Sequence, residues 1–185
     1  MAEVSLLAME RFFALLAVAA ATLALAIAGA RFLALGARFL DSISPIRVWL
    51  AWLIAAVATA GSLYFSENAN LVPCKLCWFQ RIAMYPLALL LLIAARRRDT
   101  SIRFYAVPMA AIGAATSAYH YLIEWRPSLS SGSCDATAPC TVAWFRQFGF
   151  MSLPLMAFCG FVAIVALLTL ESEDDESSES ALQVT

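Results

Sequence analysis

The chain has 185 residues, 63% hydrophobic and 14% charged, where a soluble domain averages about 45–50% apolar and about 25% charged residues. That is more apolar surface than a small water-facing core can hide, which excludes a soluble single domain and a disordered or fibrous chain. The formal net charge of −1 averages a mildly basic body with an acidic end holding Glu171, Glu173, Asp174, Asp175, Glu176 and Glu179; no broad basic patch recommends a nucleic-acid partner.

A membrane-spanning helix needs about 20 mostly apolar residues. In chain order, Phe12–Ala30, Val48–Phe65, Ile82–Ala95 extended back to Trp78, and Phe150–Leu170 meet that requirement. Phe104–Ile123 is also long enough, although it carries Ser117, His120 and the tyrosines Tyr105, Tyr119 and Tyr121. Backbone groups in lipid must be satisfied within their own segment, so these runs are expected as helices. The first is flanked by Glu3, Glu10 and Arg11 and is longer than a signal-peptide core, so a retained helix is expected. The expected architecture is an all-α membrane protein with five transmembrane helices. Pro86, Pro108 and Pro154 each free a helix carbonyl and are expected to bend the bundle.

Arginines set the expected orientation. Arg31, Arg38 and Arg47 lie between the first two windows, and Arg96, Arg97, Arg98 and Arg103 between the third and fourth, so both loops belong in the cytoplasm by the positive-inside tendency. The amino terminus then lies outside, and two segments face out, Ser66–Pro73 and Trp125–Gly149. Within the second, Val142–Phe148 has aromatics on one side and Arg146 and Gln147 on the other, the pattern of a short helix on the membrane surface. The tail, residues 171–185, is expected inside, solvated and disordered.

Four of the five cysteines lie in or beside the outward segments. Cys74-Lys75-Leu76-Cys77 follows Pro73 and opens the third helix. A helix N-terminus presents unsatisfied N–H groups and positive dipole charge, both of which favour a thiolate. The i,i+3 spacing puts both sulfurs on one face, and Arg81 lies one turn further on with a fixed positive charge. The pattern describes a redox-active pair. A zinc half-site is disfavoured, since no second close pair follows and the lone histidine lies within a helix. An inert structural disulfide is disfavoured by its place at the mouth of a helix beside an arginine.

Cys134 and Cys140 lie in the second outward loop, after the small polar stretch Ser128–Ser133. Alone, this pair would read as a loop staple in an oxidising compartment. Beside an active C-x-x-C it suggests a shuttle between an external partner and the membrane pair. Cys159, mid-helix between Phe158 and Gly160, reads as a small buried hydrophobe. His120 is the only histidine; within a span it reads equally as a functional group facing protein or as a packed, hydrogen-bonded residue, and Glu124, one turn on, is within reach as its partner.

The string Leu71-Val72-Pro73-Cys74-Lys75-Leu76-Cys77-Trp78-Phe79-Gln80-Arg81-Ile82-Ala83-Met84-Tyr85-Pro86-Leu87 closely resembles the disulfide bond formation protein B (DsbB) family, and within it the BdbC-type branch. The resemblance runs from about Val48 to Leu170. It implies a DsbB-like four-helix transmembrane bundle over residues 37–170, with outer loops 66–77 and 125–149. Residues 1–36 form an extra transmembrane helix outside that pattern. It also implies a protein-dithiol:quinone oxidoreductase of the inner cell membrane. Such an enzyme reoxidises a DsbA-like thioredoxin-fold oxidase and passes the electrons to ubiquinone or menaquinone.

By the same resemblance, Cys74 and Cys77 are the membrane-proximal catalytic pair, with Cys77 the thiolate that meets the quinone. Arg81 and His120 flank the quinone, Cys134 and Cys140 are the loop pair, Cys134 takes the mixed disulfide with the partner, and no metal is expected. The short Cys134–Cys140 spacing suits the BdbC-type branch. A vitamin K epoxide reductase-like enzyme is the nearest rival, but its loop pair precedes its C-x-x-C, the reverse of the order here. A non-enzymatic membrane scaffold with structural disulfides is the other.

Overall fold

The computed structural model describes residues 2–33, 36–130, 134 and 138–170. The acidic tail at 171–185 and the loop positions 131–133 and 135–137 lie outside the described residues. Among the described residues, six α-helices follow one another: α1 (Ala2–Ala30), α2 (Gly36–Ile43), α3 (Arg47–Glu67), α4 (Lys75–Arg97), α5 (Arg103–Trp125) and α6 (Leu153–Leu168). Five correspond to the five apolar windows. The runs Leu6–Ala30, Gly36–Glu67 and Lys75–Arg97 are each long and apolar enough to cross a membrane. α5 matches α4 at 23 residues, and α6 is a shorter apolar helix of 16 residues, about 24 Å long at 1.5 Å per residue. The molecule is an all-helical membrane bundle.

Three local expectations need correction. The segment Val142–Phe148 is not a helix. Phe148 and Gly149 have φ of 56° and 81°, left-handed values that a right-handed helix excludes, and Gln147 pairs with Met151 across the resulting turn. The fifth apolar run begins as a helix only at Leu153, because Ser152 is extended at φ −104°, ψ 171°. Pro154 consequently sits in the first turn of α6, where its missing N–H costs nothing, so it starts that helix and does not bend it. The short α2 was not anticipated. Its eight residues alternate apolar and polar too briefly to register as a span, and the Ser44–Ile46 3-10 turn joins it to α3.

α6 is central, packing on α1, α3 and α5, while α4 packs on α3 and α5. Leu87 and Leu91 of α4, Ala106 and Ala110 of α5, and Phe161, Ile164 and Leu167 of α6 form much of the main core. Small residues permit the close helix approach that packing within a membrane relies on. At Gly113 of α5, a Cβ would lie 2.4 Å from the Phe161 ring, so only glycine lets that ring seat.

Hydrogen bonds tie both ends. At one end, Gln147 Nε2 donates to Glu10 Oε2 at 2.7 Å, joining the start of α1 to the turn before α6. At the other, Arg31 Nη2 donates to the Thr169 carbonyl and hydroxyl at 3.1 and 2.9 Å. The α3–α4 link, the α5–α6 segment and the start of α1 thus share the end that carries the cysteines, and the arginine-rich links share the opposite end.

Candidate active site

The chain leaves α3 through Asn70, whose φ of 53° suits asparagine's tolerance of left-handed backbone, and returns through Pro73 to Cys74. Cys74 is the N-cap of α4, extended at φ −73°, ψ 173°. Its Sγ accepts the Cys77 backbone N–H at 3.4 Å, as a serine oxygen would at this position. The i,i+3 spacing brings the two thiol sulfurs to 3.0 Å; both are free cysteines here.

His120 reaches the pair from α5. Its Nε2 lies 3.6 Å from Cys74 Sγ, and Gln80 of α4 contacts its Nδ1 at 3.2 Å, which fixes the orientation of the ring. His120 is buried. The expected His120–Glu124 pairing is not formed as a hydrogen bond. Glu124 instead accepts from Ser152 Oγ at 2.6 Å through Oε2, and its carbonyl accepts from Arg146 Nη2 at 3.0 Å. One helical turn is near enough, but Ser152 at the start of α6 offers a buried hydroxyl and His120 is already engaged on both ring nitrogens.

The family-based assignment put the thiolate of the reduced pair on Cys77. In this geometry the donors converge on Cys74. The Cys77 thiol hydrogen bond and the nearby His120 ring outweigh burial and hold Cys74 down at about 4, from an ordinary 9.0. Cys77 has the other attribute, access. It lines an apolar cavity of about 420 Å³ between α1, α3, α4 and α6, whose polar end is formed by Cys77, Gln80, Arg81, Ser62 and Tyr85. There Arg81 Nη2 donates to the Ser62 carbonyl at 3.1 Å, with its guanidinium 5.3 Å from the Trp78 ring centroid. Tyr85 Oη donates to Ser62 Oγ at 3.2 Å.

Cys134 and Cys140 are disulfide-bonded. Cys140 is almost fully buried, in one apolar cluster with Cys74 and Ile123; Cys77, Tyr119 and the half-buried Cys134 pack against it. The loop disulfide therefore rests on the helix-mouth pair. Cys159 is buried beside Ala14, Ala17 and Met151, the small-hydrophobe role expected of it.

Of the anticipated residues, Cys74, Cys77, His120, Cys134 and Cys140 converge on one cluster, and Arg81 stands at the adjoining cavity. Gln80 was missed; its place one turn beyond Cys77 on the same face was the available signal. The cluster also removes one ground used against a metal, since the helical histidine lies beside the C-x-x-C. The ligand atoms of Cys74, Cys77 and His120 all lie within 4.8 Å of one another, and among the described residues these three could hold an ion. Structural zinc takes four protein ligands.

Residues 45–170 match the family model of disulfide bond formation protein DsbB. Among curated proteins, the chain is 42% identical over 124 residues to disulfide bond formation protein C of Bacillus subtilis (strain 168), covering 66% of this chain and 90% of the relative. It is 40% identical over 140 residues to the probable disulfide formation protein C 2 of Bacillus cereus (strain ATCC 10987 / NRS 248), covering 76% of this chain and all of the relative. No solved structure gives a significant match. A match over most of the chain, containing both cysteine pairs, places this protein in the DsbB family of disulfide bond formation proteins.

Proposed function

We propose that the protein is a thiol:quinone oxidoreductase that reoxidises a DsbA-like dithiol partner through its two cysteine pairs. The observation that carries this reading is the meeting of three features at one helix mouth: a free C-x-x-C, a disulfide packed against it, and an apolar cavity reached through Cys77. The cavity is apolar along its length and polar at one end, which fits a membrane quinone. Bound there, the quinone supplies a two-electron, two-proton acceptor for the Cys74–Cys77 dithiol.

The protein's own residues do the rest. A partner thiolate attacks Cys134, the more exposed sulfur of the loop pair, forms a mixed disulfide and releases Cys140. The partner's second thiol then resolves that bond, leaving the partner oxidised and the loop pair reduced. The loop dithiol passes its two electrons to the Cys74–Cys77 disulfide by a second exchange, for which the shared cluster keeps the two pairs adjacent. Exchange favours a leaving thiol of low pKa, and Cys74, stabilised as thiolate by its N-cap position and His120, is the better leaving group. Cys77 then carries the mixed disulfide with the loop pair until the second loop thiol attacks the loop sulfur, re-forming Cys134–Cys140 and releasing Cys77 as the reduced sulfur that faces the cavity. Arg81 and Gln80 line the polar end, where they orient a head group. The arginine-rich links face the cytoplasm, and the cysteine end faces out.

The test is to reduce the purified protein, desalt it and mix it with a ubiquinone or menaquinone analogue while following quinone absorbance. The expected result is about two quinones reduced per fully reduced protein, the first by the Cys74–Cys77 dithiol and the second after the loop dithiol has re-reduced that pair, both lost in Cys77→Ser. A membrane scaffold with structural disulfides would give no absorbance change, and that result would overturn the proposal.

A further inference from the structure

The family match begins at residue 45, so α1 lies outside it, yet α1 forms one wall of the cavity. Two of its faces follow the helical period, one toward α6 and one toward the cavity, and they meet at Ala17. Ala14, Ala17 and Ala21 pack against Leu155, Met156 and Cys159 of α6, where small side chains let the backbones approach. Phe13, Leu16, Ala20 and Leu23, spaced i, i+3, i+7 and i+10, line the cavity. α1 approaches α3 through Phe13, whose ring fills the place a Cβ would take at Gly61 and lies 5.5 Å from the Phe65 ring.

From Phe13 to Leu23 this wall runs about 15 Å along the helix axis. The opposite wall is apolar too, with Leu50, Leu53 and Val57 of α3. The polar lining gathers on the α4 side, where Cys77, Gln80, Arg81 and Tyr85 meet Ser62 of α3, which both Arg81 and Tyr85 contact. A ligand matching this shape has a compact polar head and a long apolar tail, and the tail lies along α1.

We propose that α1 is the tail-binding wall of the quinone site, and that Leu16, Ala20 and Leu23 set which tails it accepts. This rests on the quinone reading above and assigns the added helix a part in substrate selection. Ala20 is the position where a small side chain leaves room: a larger one there enters the tail's path without touching Cys77 or Arg81.

The test measures binding directly, by quenching of tryptophan fluorescence in the oxidised full-length protein, with Trp144 in the cavity lining as reporter. Two probes share one benzoquinone head, one tail-less and one bearing a decyl chain. Wild type is expected to bind the decyl probe more tightly. Ala20→Phe should weaken the decyl probe about tenfold, the equivalent of an overpacking clash of 1–3 kcal/mol, and leave the tail-less probe unchanged. Leu16→Ala, which removes contact without adding bulk, should shift the decyl probe about threefold in the same direction. Leu25→Phe, at a position 72% exposed on the far side of α1, should change neither.

Equal weakening of both probes, no change in either, or equal wild-type affinity for the two would overturn the role of α1 and leave the quinone reading standing. Failure of wild type to bind either probe would overturn the quinone reading itself.

Discussion

At Cys74, three contacts of modest length combine: the Cys77 N–H at 3.4 Å, the Cys77 sulfur at 3.0 Å and His120 Nε2 at 3.6 Å. Each favours the charged sulfur, which makes the pH behaviour of this residue a direct readout. With its pKa lowered from 9.0 to about 4, the Cys74 thiolate of the reduced protein is present above that lowered value and is lost only as the pH falls through about 4. The ultraviolet thiolate absorbance of reduced wild type, taken relative to Cys74→Ser, should persist well below pH 9. In His120→Ala the midpoint should move upward, and the pair should become harder to reduce, since a less stable thiolate stabilises the reduced form less. An unmoved midpoint would remove His120 from the pair. The C-x-x-C, Arg81 and the hydrophobic role of Cys159 were readable because their signals are local. The His120–Cys74 contact joins residues 46 positions apart, and the family resemblance placed His120 at the quinone without pairing it with Cys74. A thiolate within the C-x-x-C was readable from its helix N-terminus, but its placement on Cys74 was not, because it depends first on the direction of the Cys77 thiol hydrogen bond and then on the His120 ring that Gln80 holds.

Among the elements, α6 carries the most packing, meeting α1, α3 and α5, and its fit against α5 depends on one absent side chain. A Cβ at Gly113 would sit 2.4 Å from Phe161, with Phe161 itself completely buried. Gly113→Ala should destabilise the bundle by about 1–3 kcal/mol through overpacking, read as a lower unfolding temperature in detergent. Phe161→Leu should recover part of the loss when combined with it, because the two residues share one contact. Additive losses would contradict that contact. Apolar run length located the five long helices, but their ends were decided by features that run length does not report. Ser152 delays α6 by being extended and bonded to Glu124, and Pro154 marks its first turn. The segment before it read as amphipathic, yet Arg146 and Gln147 spend their side chains on the Glu124 carbonyl and on Glu10. Those partners lie on α5 and α1, distant in sequence, and they hold the segment as a turn.

For the whole molecule, the two cysteine pairs lie at one end of a membrane bundle, one pair at the cavity and the other against it. Composition pointed to the membrane and the motif to the family, while the wall supplied by α1 appeared only when α1 was seen packed on α6. The proposed relay assigns the pairs separable tasks: Cys134 and Cys140 exchange with the partner, and Cys74 and Cys77 exchange with the quinone. Electron flow from a reduced DsbA-like dithiol to a quinone analogue, measured in wild type, Cys134→Ser and Cys77→Ser, separates those tasks. Wild type should sustain the flow. Cys134→Ser should lose it while its reduced form still converts a single equivalent of quinone, and Cys77→Ser should lose both. Sustained flow from the partner to quinone in Cys77→Ser would contradict the relay.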